Sequence, residues 1–235
     1  MLIRVIQTIA GGGSVDFPSV LMQILAILFI IFCILPLHEC AHGWMACKLG
    51  DNTAKYQGRL TLNPLVSIDP IGAAAILLFG FGWAKPVPVD ARYFKNPKRD
   101  MAITALAGPV ANLLAALVGA ILLNVFIVFY KSIPVSVFPW IQLFFVYYIN
   151  INVMLAVFNL IPLPPLDGSR ILGAFLSDRA LYKYYQYQQY IMMGLFVILF
   201  SGWLNAPLNF LQELVTYGIT WLAALPFHAF GFVTL

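Results

Sequence analysis

Apolar residues in this chain run in long blocks separated by short polar or proline-rich stretches, and several blocks approach the roughly 20 residues with which a helix crosses the hydrocarbon of a bilayer. The first block covers residues 17–48; Pro36 falls where a kink is expected and Gly50 where the helix is expected to stop. Residues 51–99 break the pattern. KYQGRLTLNP and AKPVPVDARYF alternate or are proline-rich, which predicts short strands and loops. Between them, IGAAAILLFGFGW is about thirteen residues long and punctuated by glycine, too short to span and expected to be re-entrant or peripheral. A second span is predicted over residues 101–130, where ALAGPVANLLAALVGA offers small side chains for close helix approach and Gly108-Pro109 should bend the helix. A third is predicted over residues 140–160, broken by Pro162, Pro164 and Pro165 before Asp167-Gly168 opens the helix-like SRILGAFLSD. Apolar segments at 188–204 and 208–225 follow. The pattern predicts an all-α polytopic membrane protein of about five to six transmembrane helices, with a short β-strand/loop region between the first and second core helices. Residues 1–235 read as a single integral-membrane domain, its core at about 17–175 and its C-terminal helices at about 186–225.

Composition agrees with this reading. With 62% hydrophobic and 9% charged residues and a mean hydropathy of +0.89, the 235-residue chain cannot cover a water-facing surface with polar groups, so the lipid bilayer is its expected partner. The net charge of +4 does not signal nucleic acid, because the basic residues lie in short loops and form no basic face interleaved with aromatics. Eight Lys/Arg fall between Lys48 and Arg99, and Arg170, Arg179 and Lys183 follow the proline break, leaving only Arg4 and Lys131 elsewhere. If the thirteen-residue segment does not cross, both basic regions share one side, which the positive-inside rule makes cytoplasmic. A multi-pass protein of the cell (plasma) membrane is expected. Cys33, Cys40 and Cys47 recur every seven residues in one segment, which suits small buried hydrophobes and not a disulfide framework. Residues 1–16 are not expected to form a cleaved signal peptide, because the apolar segment that follows is too long.

Candidate chemistry is concentrated in His38-Glu39-Cys40-Ala41-His42, which places ionisable groups inside an apolar run at considerable cost. At about 100° per residue, His38 and His42 lie within about 40° of one another on a helix, with Glu39 flanking them. Two imidazoles so placed are neighbouring nitrogen ligands for zinc, and the intervening carboxylate can act as the base of a peptide hydrolysis. The plainer alternative is a histidine pair satisfied by backbone or pore water. A catalytic zinc needs a third protein ligand. His228, the remaining histidine, lies near the C-terminus, and Asp167 is the better candidate, unless it merely caps its helix and pairs with Arg170. A non-catalytic metal-binding or divalent-metal transport protein is the rival from another class. Glu39 separates the two, since transport has no need of a carboxylate at that register.

HECAH at 38–42, GPVAN at 108–112 and NLIPLPPLDG at 159–168 together resemble the site-2 protease family of intramembrane zinc metalloproteases. LTLNP at 60–64, Ile68-Asp69-Pro70 and the following GWAKPVPVD are similar to its compact prokaryotic branch, which lacks inserted regulatory domains. The resemblance covers residues 17–173. It implies one zinc per chain held by His38, His42 and Asp167, with Glu39 as the catalytic acid. It implies as well that Asn112 and Asn159 hydrogen-bond a substrate strand or a developing oxyanion. Implied substrates are membrane proteins with a transmembrane segment, cut in or near that segment in regulated intramembrane proteolysis; oligomeric state is left open. Ser67 departs from the branch, where a histidine is common. Because a transmembrane helix hides its carbonyls in its own hydrogen bonds, the substrate must unwind before hydrolysis. Residues 54–62 or 86–89 could offer it strand pairing, or else merely cap the site.

Overall fold

Within hydrocarbon every backbone N–H and C=O must be satisfied inside the protein, and a chain of long apolar blocks does this by becoming helical. The computed structural model describes residues 10–12, 15–79 and 82–229. Arg4, Gly13, Ser14, Gly80 and Phe81, which entered the expectations above, lie outside them. Helix α1 spans Phe17–Leu49. Its ladder is interrupted at Ile30–Ile34 by a π-helical turn, after which Leu35–Leu49 resumes as α-helix with Pro36 in its first turn. A proline has no N–H to give and its ring crowds the preceding turn, so the widened turn is how the helix absorbs Pro36 without breaking. The helix ends as expected at Gly50, whose φ of 115° is a left-handed conformation that favours glycine.

Residues 51–99 correct the expectation of strands, since no described residue is in a strand. Short helices α2 (Thr53–Tyr56), α3 (Pro64–Ser67) and α4 (Pro70–Phe79) occupy much of the region. Pro64 and Pro70 each open a helix at a position where a missing N–H costs nothing, and Asn63 caps α3 by accepting the Leu65 N–H at 3.1 Å. The segment 82–90 is neither helix nor strand, and only Asp90 at its end is shown to be extended. Pro86 and Pro88 have no donor to give a ladder, and three of the remaining N–H groups are engaged elsewhere: Lys85 on the Ser67 carbonyl (2.8 Å), Val87 on Glu39 (2.9 Å) and Asp90 on Asp51 (2.7 Å). With α2 and turns in its place, 54–62 offers no strand edge.

Helix α5 (Pro97–Val128) is the centre of the bundle, packing against the second half of α1 and against α6 (Phe138–Asn159), α7 (Asp167–Gly173) and α10 (Asn205–Ala229). Its small residues make this possible: Ala105, Ala115, Ala116 and Ala120 are buried, and a Cβ at Gly119 would lie 2.5 Å from the Tyr148 ring of α6. The helix runs unbroken through Pro109. After α7 come α8 (Asp178–Gln186) and α9 (Gln188–Ser201). Three helices, α1, α5 and α6, are long and apolar enough to cross a membrane, and α9 with α10 makes a fourth candidate only as a pair bent by 84°. The expected five to six spans therefore reduce to three or four among the described residues. Two apolar blocks that read as separate spans are joined at Gly202, whose φ of 78° turns the chain after only 14 residues of α9. The three cysteines are free; Cys40 and Cys47 are half-buried, whereas Cys33, contrary to expectation, is exposed on the outside of the bundle.

Candidate metal centre

The last turns of α1 carry His38, Glu39 and His42, all buried. The His42 Nδ1–H donates to the Thr104 carbonyl of α5 at 2.7 Å. A carbonyl can only accept, so this bond places the proton on Nδ1 and leaves Nε2 with a lone pair, as a metal ligand requires. His38 Nε2 lies 3.0 Å from His42 Nε2. The third member arrives from far along the chain. Beyond Asn159 the chain turns through Pro162, Pro164 and Pro165, the Pro164–Pro165 bond being cis, and re-enters helix at Asp167. Gly168 allows α7 to sit against the end of α6, because a Cβ there would lie 2.3 Å from the Leu160 carbonyl oxygen. Asp167 Oδ2 thereby comes to 3.3 Å from His38 Nε2 and 3.2 Å from His42 Nε2.

Three atoms of metal-ligating type converge with edges of 3.0, 3.2 and 3.3 Å. Ligands at 2.0–2.1 Å around a tetrahedral ion stand about 3.3–3.4 Å apart, so this donor set and spacing fit zinc. Gly108 of α5 backs the cluster, where a Cβ would fall 2.3 Å from His42 Nε2 and 2.6 Å from His38 Nε2. Only a residue with no side chain leaves room there. Asp167 opens its helix without capping it and makes no ion pair with Arg170, and His228 is exposed at the end of α10, outside the cluster.

Glu39 stands beside the triad and its Oε2 accepts the Val87 N–H. Asp51, fully buried where α1 ends, accepts the N–H groups of Thr53 (2.9 Å) and Asp90 (2.7 Å), and Arg59 donates to the carbonyls of Lys85 (2.7 Å) and Pro86 (3.2 Å). Together these bonds stretch the segment 82–90 across the site as a strap. At its far end the Arg92 guanidinium bonds the Asp90 carboxylate and holds that carboxyl down at about 2. A cavity of about 500 Å³ opens between the strap, the His38–His42–Asp167 cluster and α9, with Glu39, Asn159, Asp167 and Arg170 among its polar lining.

The two asparagines part company. Asn159 lines the cavity and spends one N–H on the Leu155 carbonyl at 2.9 Å. Asn112, one turn beyond Gly108 on α5, is fully buried with no partner for its amide nitrogen or oxygen among the described residues. Ser67 is buried with an unpartnered hydroxyl, and it contributes its carbonyl to the strap. Thr104 and Asp51 carried no signal in the sequence, and Val87 fell within 86–89 with no sign of its bond to Glu39. Thr104 and Val87 act through backbone atoms, which leave no signature in residue type, and Asp51 resembles any polar residue after a helix end.

The profile of peptidase family M50 matches residues 134–202, which include Asn159, Asp167 and Arg170. "Putative zinc metalloprotease YwhC" of Bacillus subtilis is 41% identical over 184 residues, 78% of this chain and 83% of that protein. "Putative zinc metalloprotease Rip2" of Mycolicibacterium smegmatis is 29% identical over 75% of this chain and 70% of its own length. "Zinc metalloprotease MJ0392" of Methanocaldococcus jannaschii is 31% identical over 66% of this chain and 35% of its own length. No solved structure matches the chain. With that identity to YwhC over most of both chains, this protein belongs to peptidase family M50, the metalloprotease family of the site-2 proteases its motifs resemble.

Proposed function

We propose that the chain is an intramembrane zinc endopeptidase that cuts peptide bonds in or near the transmembrane segments of other membrane proteins, as in regulated intramembrane proteolysis. The observation that carries this reading is the convergence of His38, His42 and Asp167 on one point, with Glu39 beside it on a cavity among apolar helices. His38, His42 and Asp167 would hold one zinc ion, which supplies Lewis-acid chemistry by acidifying water and polarising a carbonyl. Glu39 does the proton work: it takes the proton of the attacking water and passes it to the leaving amine. The Val87 N–H fixes Oε2 of Glu39 and leaves Oε1 as the free acceptor. Asn159 offers its remaining N–H and its Oδ1 to an extended substrate. The buried, unsatisfied amide of Asn112 is a second group with hydrogen bonds to give. The strap, which pairs with no strand among the described residues, is the surface along which an unwound substrate backbone would lie. By the positive-inside argument the site faces the cytoplasmic side of the plasma membrane.

The test is cleavage of a single-span substrate co-reconstituted with the purified chain in liposomes, with products located by mass spectrometry. Cleavage inside the span that a chelator stops and zinc restores supports the reading. Cleavage indifferent to the chelator, or no cleavage by the zinc-loaded chain of any of a panel of single-span substrates, overturns it.

A further inference from the structure

We propose that Arg170 is the anion anchor of the cavity, receiving a carboxylate of the peptide that enters it. That carboxylate is either an acidic side chain of the substrate near the cut bond or the new C-terminus that cleavage creates. The inference rests on the peptidase reading of the cavity and adds a charge preference to it.

Arg170 follows Asp167 by three residues, so the two share a face of α7, and both line the cavity. Among the described residues the side chain of half-buried Arg170 makes no hydrogen bond and no ion pair; the exposed Arg179 shares this, and the other three described arginines do not. Arg59 is spent on the carbonyls of Lys85 and Pro86, Arg92 on Asp90 and Arg99 on Asp100. Neither acid of the cavity pairs with Arg170. The Asp167 carboxylate is directed at the two imidazoles, and that of Glu39 is held by Val87. Much of the remaining lining is apolar, Leu155, Phe158, Leu195 and Leu199 among it. A guanidinium cannot shed its charge, and among such neighbours an unpaired one is costly, so the arrangement favours a ligand that brings the missing anion. Its planar fork of donors matches a carboxylate in a bidentate pair.

The experiment measures binding of fluorescent apolar peptides to the full-length Glu39→Gln protein in nanodiscs, where no cleavage intervenes. Three peptides are compared: a free C-terminal carboxylate, the same peptide amidated, and the amidated peptide with one internal Gln replaced by Glu. A preference of at least about ten-fold for one of the acidic forms is expected, and which form is preferred identifies the source of the carboxylate. Adding Arg170→Gln should abolish the preference while leaving affinity for the amidated peptide and zinc content unchanged. Arg170→Lys should restore part of it. Equal binding of all three peptides with Arg170 in place, binding of none, or a preference that survives Arg170→Gln overturns the inference. Because the peptide comparison is made with Arg170 intact, it decides the matter even if the Arg170 variants fail to fold. Cleavage of single-span substrates by the wild-type chain without any carboxylate preference would remove this inference and leave the peptidase reading standing.

Discussion

The proton on His42 Nδ1, held by the Thr104 carbonyl, decides what the histidine pair can be. With it in place, His42 Nε2 turns a lone pair towards the Asp167 carboxylate and His38 Nε2 in a buried pocket, an arrangement that a bound cation relieves. Asp167→Ala is expected to lower zinc occupancy by more than the roughly 10–100-fold that loss of an outer-shell partner costs, as measured by metal analysis of the purified protein. Gly108→Ala is the sharper case. In an ordinary helix it would stabilise by about 1 kcal/mol. Here its Cβ would fall 2.3 Å from His42 Nε2, so circular dichroism should show the helices intact while zinc is lost. The residues differ in how legible they were. His38, Glu39 and His42 could be read from spacing because one helix presents all three. Asp167 could be read only as a candidate, because nothing local distinguishes a metal ligand from a helix cap. Gly108 belonged to a visible motif, but that it crowds the ligand atoms depends on how α5 crosses α1, which no local pattern encodes.

Among the elements, the strap, which bonds Glu39 and borders the cavity, was the least legible. KPVPV alternates as a strand does, but its prolines forfeit the ladder, the Lys85 and Val87 donors go to Ser67 and Glu39, and that of the following Asp90 goes to Asp51. Its tether at Asp51 is testable. Asp51→Ala would leave the Thr53 and Asp90 N–H groups without their acceptor, at a cost of about 1–3 kcal/mol. Hydrogen exchange should rise at residues 87–92 while α5 stays protected; unchanged exchange at the strap would contradict the tether. The long spans were legible because length and hydropathy suffice to call for a helix in lipid. The 84° bend between α9 and α10 was not, because it turns on one left-handed glycine between two apolar blocks.

For the molecule as a whole, the proposed orientation rests on the basic residues of the two regions outside the apolar blocks. In a chain with Cys33, Cys40 and Cys47 replaced, Lys95→Cys and Lys183→Cys should both resist a membrane-impermeant thiol reagent in intact cells and react once the cells are permeabilised. Labelling of either from outside would place the site on the other face. The central claim is that one buried cluster holds zinc and that Glu39 beside it moves the proton. It is tested most directly by measuring zinc content and cleavage on the same reconstituted samples of wild type and Glu39→Gln. The account predicts equal zinc, about one ion per chain, with cleavage reduced at least about 100-fold in the variant. Cleavage at the wild-type rate by Glu39→Gln, or a wild-type chain that cleaves without zinc, would contradict it.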